Sequence, residues 1–309
     1  MQILLSTNIR FPNLGLELKN VPSGFEIFGY HIAFYGMIIG LGMLAGWLIA
    51  EWMAKRTGQK TEVYLDFALV AIIISVVCAR IYYVIFALDE FKDNPWQVFN
   101  LRSGGLAIYG GIIGAVITAI VYTKIKKYPM WLLMDTGCIG LVTGQMIGRW
   151  GNFFNREAFG KFTDSLFAMQ ININDAAYDF RRSIPSLQEK YAGKEAAFNR
   201  IMEIRQKTEM INGIEYIQVH PTFLYESLWN LGLLIFLILF TRHKKFDGEV
   251  MLLYLAGYGL GRVWMEGLRT DQLFLWGTKI PVSQLLSALI VIAALAILIY
   301  KRHKTVKAK

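Results

Sequence analysis

The sequence predicts an all-α integral membrane protein. It has about seven transmembrane helices and a small extracytoplasmic head domain, with the N-terminus outside and the C-terminus inside. Three observations predict this. Hydrophobic residues make up 55% of the 309 and charged residues only 18%, with a mean hydropathy of +0.39, far from the balance of a soluble domain. Several apolar runs approach the roughly 20 residues that cross a bilayer. Basic residues cluster in alternate short connectors, at Lys55/Arg56/Lys60, Lys124/Lys126/Lys127 and Arg242/Lys244/Lys245, and in the tail after Lys301, as the positive-inside rule requires of cytoplasmic ends.

The elements follow in order. Residues 1–27, with Pro12, Gly15, Pro22 and Gly24, read as an extracytoplasmic N-terminal arm. Residues 28–151 hold the first four helices, at about 28–52, 64–88, 104–123 and 131–150. Residues 152–219 are too polar to span and too long for a turn, so they form the head segment, with a surface helix near 186–208. Residues 220–300 hold helices five to seven, at about 222–240, 250–268 and 282–300, and 301–309 is a basic cytoplasmic tail. The head, the glycine-rich start of the third span and the stretch around Arg149 then share the outer face. No internal repeat is visible, which weakens an inverted-repeat transporter.

The net charge of +9 could suggest a nucleic-acid partner. Its placement in short connectors instead fits topology and attraction to anionic headgroups. The only cysteines, Cys78 and Cys138, lie in apolar context, so neither a disulfide framework nor a metal site is predicted. There is no phosphate-cradling P-loop and no dinucleotide fingerprint; the expected cofactor is none, and the partner class is the membrane itself.

Polar residues then stand out where the solvent is wrong for them. The stretch 144–160 packs Arg149, Asn152, Asn155, Arg156 and Glu157 into the exit of the fourth span, with Gly148 and Gly151 between them. Such groups at membrane depth must face protein or water. Either Arg149 offers a fork of donors to an anion, with the asparagines completing the hydrogen bonds, or it snorkels to the interface. In the sixth span Tyr258, Arg262 and Glu266 are spaced by four and Arg269 follows by three, which puts all of them on one helical stripe. Arg262 and Glu266 can form a structural ion pair, but one glutamate facing two arginines leaves positive charge over. His220 opens the fifth span as an acid, a base, a phosphate donor or a helix cap, and Tyr225 and Glu226 can pair with Arg149 or Arg262. His31 and Tyr35 are four apart in the first span. Arg80 reads as a snorkelling arginine. The glycines of 104–114 either let helices pack closely or mark a re-entrant helix facing an anion, with Tyr109 among them. A cationic pocket in the outer leaflet best suits an anionic lipid headgroup, and on these residues alone enzyme and transporter both stay open.

The combination resembles a known family. Gly148-Arg-Trp-Gly-Asn-Phe-Phe-Asn-Arg-Glu-Ala-Phe-Gly160 looks like the signature of the bacterial phosphatidylglycerol–prolipoprotein diacylglyceryl transferases. His31…Tyr35-Gly36, Gly104-Gly-Leu…Gly-Gly, His220-Pro…Leu-Tyr-Glu226 and Tyr258…Arg262…Glu266…Arg269 accompany it in the family's order. The resemblance covers essentially all spans. It implies a transferase of the bacterial cell membrane, active toward the outer leaflet, that moves diacylglyceryl from phosphatidylglycerol to the lipobox cysteine thiol of a prolipoprotein. Glycerol phosphate would be released, with no cofactor. It further implies that Arg149 and Arg262 bind phosphate, that Tyr35, Asn152, Glu157, Gly160 and Tyr258 belong to the substrate site, and that Glu266 orients Arg262. The alternative class is a transporter or flippase for an anionic lipid or solute. Tyr109 stands where many members have a histidine assigned as base, a form that resembles Gram-positive members. A tyrosine with an ordinary pKa near ~10 is a poor base at neutral pH, so a perturbed Tyr109, His220, or the arginines alone would have to serve. Lys161, Arg269-Thr-Asp271 and the long 165–217 insert also depart from the family's pattern.

Overall fold

A computed structural model describes residues 8–101, 104–176, 180, 182–192, 195–272, 274, 275, 278 and 280–307. The first seven residues of the predicted arm and the last two of the basic tail lie outside them. In chain order the elements are β1 (Ile9–Phe11), β2 (Leu16–Leu18), β3 (Gly24–Ile27), β4 (Tyr30–Ala33), α1 (Phe34–Arg56), α2 (Glu62–Phe86), α3 (Ile108–Lys126), α4 (Met130–Asn155), β5 (Met169–Asn172), α5 (Ile184–Lys190), α6 (Glu195–Arg205), β6 (Glu209–Ile211), β7 (Ile214–Val219), α7 (Thr222–Phe240), α8 (Glu249–Leu268) and α9 (Val282–Lys307). Among the described residues, six helices (α1 to α4, α7 and α9) are long and apolar enough to cross a membrane. The fold is therefore mostly helical and multi-pass. The predicted sixth span is present as α8, but Arg262 and Glu266 dilute its apolar character below that of the six.

Two compact units divide the chain, 47–140 and 1–46 with 141–309, and the boundaries fall inside α1 and α4. In the first of these, α2 and α3 pack antiparallel through glycines. A Cβ on Gly110 would meet the Cys78 carbonyl oxygen at 2.5 Å, and one on Gly114 would meet the Ser75 Cα at 3.0 Å. Of the two readings of the glycine stretch, close packing is the one the helices adopt. α3 begins at Ile108, not 104, and continues unbroken; Gly104 and Gly105 form a left-handed lead-in at φ +84° and +72°. Leu69, Ile73, Val77, Ile81 and Ile85 make an exposed apolar stripe along α2, the face expected to meet lipid.

Arg80 does not snorkel. It is 6% exposed, and its guanidinium donates to five carbonyls of the α2–α3 connection: Val98 (2.8 Å), Gly104 (2.8 Å), Gly105 (2.9 Å), Gln97 (2.6 Å) and Asn100 (3.2 Å). Five N–H groups are all that a guanidinium has. The connection folds around the α2 arginine because a buried guanidinium needs an acceptor for each of its donors.

In the second unit the all-α expectation needs correcting. An antiparallel sheet of order β2-β1-β5-β7-β6 joins the N-terminal arm to the 152–219 segment. Its register places Ile9 opposite Ile171, and Ile171 opposite Ile217. These residues form one core with Leu187 of α5, Ile201 and Ile204 of α6, and Phe153, Phe159 and Phe223. The predicted single surface helix near 186–208 is two helices, with α5 ending at Lys190 and α6 starting at Glu195. The first span also starts later than predicted. Residues 24–33 form the β3–β4 hairpin, whose turn residues Phe28 and Gly29 have φ +51° and +78°, the conformation of a tight hairpin turn. His31 therefore lies in a strand, and the helical His31–Tyr35 spacing does not form. α1 and α4 cross where Gly42 faces Gly144, with a Gly42 Cβ landing 3.1 Å from the Gly144 carbonyl oxygen. α7, α8 and α9 run antiparallel in sequence, with Gly257 and Gly261 of α8 turned to α7 and Gly259 turned to α9.

Candidate active site

Three chain segments are laced together where α4 and α8 end and α7 begins. The Gly160 N–H donates to the His220 carbonyl (2.9 Å), the His220 N–H to the Lys161 carbonyl (2.9 Å), and the Lys161 N–H to the Leu268 carbonyl (2.9 Å). Gly160 also bridges Arg269. Only a glycine fits at the crossing, because a Cβ there would stand 2.7 Å from the His220 Cβ and 3.1 Å from the Leu268 carbonyl oxygen. This lacing fixes the last turns of α4 and α8 and the first turn of α7 around one point.

At that point lies Glu226, 5% exposed. Arg149 of α4 forms an ion pair with its Oε2 at 2.8 Å and Arg262 of α8 donates to the same oxygen at 3.3 Å, while Arg269 stands 3.7 Å from its Oε1. Arg262 also pairs with Glu266 on its own helix, and Arg269 makes a two-pronged contact with Asp271 at 2.9 and 2.7 Å. α8 carries Tyr258, Arg262 and Glu266 on one stripe as predicted, but it ends at Leu268. Arg269 reaches the centre from an extended residue beyond the helix, at φ −66° and ψ 151°, and so lies off that stripe.

The excess positive charge inferred from one glutamate facing two arginines also needs correcting. Three arginines here meet three carboxylates. Depth, not count, sets the character of the site: the Arg149 and Arg262 side chains are 20% and 17% exposed, whereas Glu226 and Glu266 are 5% exposed. A guanidinium that spends one edge on a deeper carboxylate still presents its other N–H groups outward, so an anion approaching Arg149 and Arg262 meets donors, while the 49% exposed Asp271 covers Arg269. Carboxylates are charge-matched partners that hold the arginines in a fixed geometry before any ligand arrives.

The signature residues around this centre divide by partner. Asn152 and Asn155 both donate to Glu157 Oε1, at 3.1 and 3.3 Å, and the Glu157 N–H closes back on the Asn152 carbonyl at 3.1 Å. The Tyr35 ring seats against Gly151, where a Cβ would lie 2.8 Å from its Cδ2, and its hydroxyl is within electrostatic reach of Glu157 and Arg149. Arg156 is not part of the centre. It is 5% exposed and donates to the carbonyls of Phe154 and Val21, from a residue held at φ +51°. His220 Nδ1 is 3.3 Å from the Tyr225 hydroxyl. Burial, aided by the Lys161 charge, pushes the His220 pKa below its ordinary value, so its ring is neutral at neutral pH. Tyr109 is the second residue of α3, in the other unit, and partly exposed. Arg200 of α6 was not anticipated from the sequence. It donates to the Arg269 carbonyl at 3.1 Å and to Gln272, which in turn donates to the Glu266 carbonyl. It belongs to the 165–217 insert, where no motif drew attention to it. Among the described residues no group of three or more His, Cys, Asp or Glu is placed to hold a metal ion.

Known proteins resemble this chain over most of its length. The sequence model of the prolipoprotein diacylglyceryl transferase family matches residues 22–300. The chain is 37% identical over 280 residues to a phosphatidylglycerol–prolipoprotein diacylglyceryl transferase of Clostridioides difficile, covering 91% of this chain and 95% of that one. It is 40% identical over 283 residues to one of Oceanobacillus iheyensis, covering 91% and 88%, and 36% identical over 283 residues to one of Bacillus licheniformis, covering 92% and 93%. With most of its length matched, the chain belongs to the prolipoprotein diacylglyceryl transferase family.

Proposed function

We propose that the protein transfers the diacylglyceryl group of phosphatidylglycerol to a prolipoprotein, the reaction for which its relatives are named. The observation that carries this reading is the centre of three arginines on Glu226, with that glutamate set deeper than the three guanidiniums. It suits a monoanionic phosphodiester that becomes a phosphomonoester. The acceptor is the lipobox cysteine thiol. A base takes the thiol proton, and the thiolate attacks the glycerol carbon that bears the phosphate. A C–S bond forms as the C–O bond breaks, and its electron pair leaves on glycerol phosphate. Arg149 and Arg262 hold the phosphate and stabilise the charge that grows on it, and the same positive field favours the incoming thiolate.

The remaining residues hold that geometry. Glu226 and Glu266 orient the arginines, Asn152 and Glu157 brace the end of α4, Gly160 permits the lacing, and Tyr35 and Tyr258 line the approach of the lipid. His220 is the base we favour over Tyr109, because a neutral imidazole beside the lacing can accept a proton at neutral pH. In this reading α8 also crosses the membrane, as the sixth span of seven, the protein lies in the cytoplasmic membrane of a bacterium, and the site opens toward the outer leaflet. The N-terminal arm with its hairpin through Ala33, and residues 152–219, make the extracytoplasmic head, 34–151 and 220–300 carry the spans, and 301–309 is the cytoplasmic tail.

The test uses purified protein in detergent with phosphatidylglycerol and a synthetic lipobox peptide, read by mass spectrometry. A diacylglyceryl mass gain on the cysteine peptide, absent from a Cys→Ser peptide, is expected. No gain in folded protein would overturn the reading and direct attention to lipid flux in liposomes.

A further inference from the structure

α7 and α8 run antiparallel, and each carries a charged residue at the centre with a neutral polar residue four positions away toward the opposite end. Glu226 is followed by Asn230 on α7, and Arg262 is preceded by Tyr258 on α8. Four residues of helix rise about 6 Å, so both neutral groups lie one turn below the charges. The four side chains line a small pocket with room for about one ligand oxygen, walled by Trp229 and Gly261. Its wall is fixed, because the Trp229 indole donates to the Gly257 carbonyl at 3.0 Å and rests against the bare backbone of Gly261.

Asn230 is 2% exposed, yet its carboxamide has no hydrogen-bond partner among the described residues. Its polar neighbours on α7 are all engaged, with Ser227 donating to the Met146 carbonyl at 3.0 Å and Glu226 holding arginines. An amide without a protein partner costs the folded protein free energy unless the pocket it lines supplies an acceptor. A ligand oxygen in the pocket removes that cost. We propose that the Asn230 amide donates to an ester carbonyl of the donor lipid's glycerol backbone, making this pocket a subsite for diacyl esters. The inference rests on the reading that the arginines hold a glycerophospholipid phosphate, since the first ester of such a lipid lies about one helical turn from its phosphorus.

The experiment compares diacyl phosphatidylglycerol with its dialkyl ether analogue, which lacks the carbonyls, in wild type, Asn230→Leu and Asn230→Ser. Each lipid is read by kcat/KM for transfer to the lipobox peptide, and the ether lipid also by its inhibition constant against the diacyl lipid. The wild type prefers the ester by about tenfold, the range of one well-placed hydrogen bond. Asn230→Leu loses that factor for the ester and leaves the ether unchanged, while Asn230→Ser, which keeps a donor, retains part of it. Because Leu removes an unpaired polar group, the ligand-free Asn230→Leu protein unfolds at a temperature no lower than wild type, which a structural asparagine would not allow. Equal losses for both lipids, or no loss for either, overturn the subsite. A wild type that transfers nothing from phosphatidylglycerol overturns the transferase reading itself, and the subsite with it.

Discussion

Arg80 and Arg149 are both arginines near the end of an apolar helix, and they could not be less alike in how they are held. Arg80 spends all five donors on backbone carbonyls of one connection and is 6% exposed. Arg149 spends its contact on a carboxylate buried more deeply than itself and keeps a 20% exposed side chain. The first is saturated and has nothing left to bind. The second is oriented and still has donors to offer. In a membrane protein the presence of a buried arginine says little, whereas the identity and depth of its partner says whether it serves the fold or a ligand.

Substitutions can break or sharpen this contrast, and the largest effect is expected at Arg149. Arg149→Ala should lower transfer from phosphatidylglycerol at least ~10²–10³-fold with the thermal unfolding midpoint nearly unchanged, because Glu226 keeps Arg262 and Arg269. A folded variant with near-normal turnover would remove Arg149 from the phosphate site. Arg80 should behave in the opposite way. Arg80→Ala is expected to cost about 3–5 kcal/mol of stability, and Arg80→Lys should recover little, since an ammonium cannot fork to five carbonyls. A lysine variant with the wild-type midpoint in detergent would erase the difference between the two sites.

Glu226→Gln tests the carboxylate that the centre is built on. It should destabilise the protein by about 1–3 kcal/mol and, by leaving the arginines less neutralised, tighten inhibition by glycerol phosphate while turnover falls. Weaker inhibition in a titration with glycerol phosphate would show that Glu226 does not moderate the anion site. The smallest effect on stability is at His220, whose folded pKa lies below the ordinary value. The unfolded chain then takes up the proton first, so stability is full above pH about 6.5 and declines as pH falls through it toward the folded value. His220→Asn should flatten that decline in unfolding midpoints measured across pH. It should also remove the acidic limb of the rate profile, whereas Tyr109→Phe should leave the limb in place. A profile altered by Tyr109→Phe alone would reassign the base.

Legibility from sequence followed the range over which each feature is specified. The helices were visible because each is a long apolar run, and the stripe of Tyr258, Arg262 and Glu266 was visible because helical spacing is local. The sheet was not visible. Its strands are three to six residues long, and β1 pairs with β5 more than 150 positions away, so neither strand has a pattern that separates it from a loop. The half of the hairpin from residue 28 onward reads as part of the first span, because Phe28, Ile32 and Phe34 continue its apolar run. Asn230 carried a signal that passed unread: it is an amide one turn from Glu226 inside an apolar helix.

The sequence by itself determined that this chain resides in a membrane, that its odd polar residues gather at a few helix ends, and, through the 148–160 signature, which family it joins. Composition and local spacing suffice for these, since each depends only on residues near one another in the chain. Tertiary structure alone decided which arginine serves which purpose. Arg80 meets carbonyls of its own connection. Arg149, Arg262 and Arg269 meet a single glutamate supplied by a different helix, brought to them by three chain segments laced at Gly160. A guanidinium's role is set by the partners it finds in space and by their depth from solvent, and neither is written in its own neighbourhood of the chain.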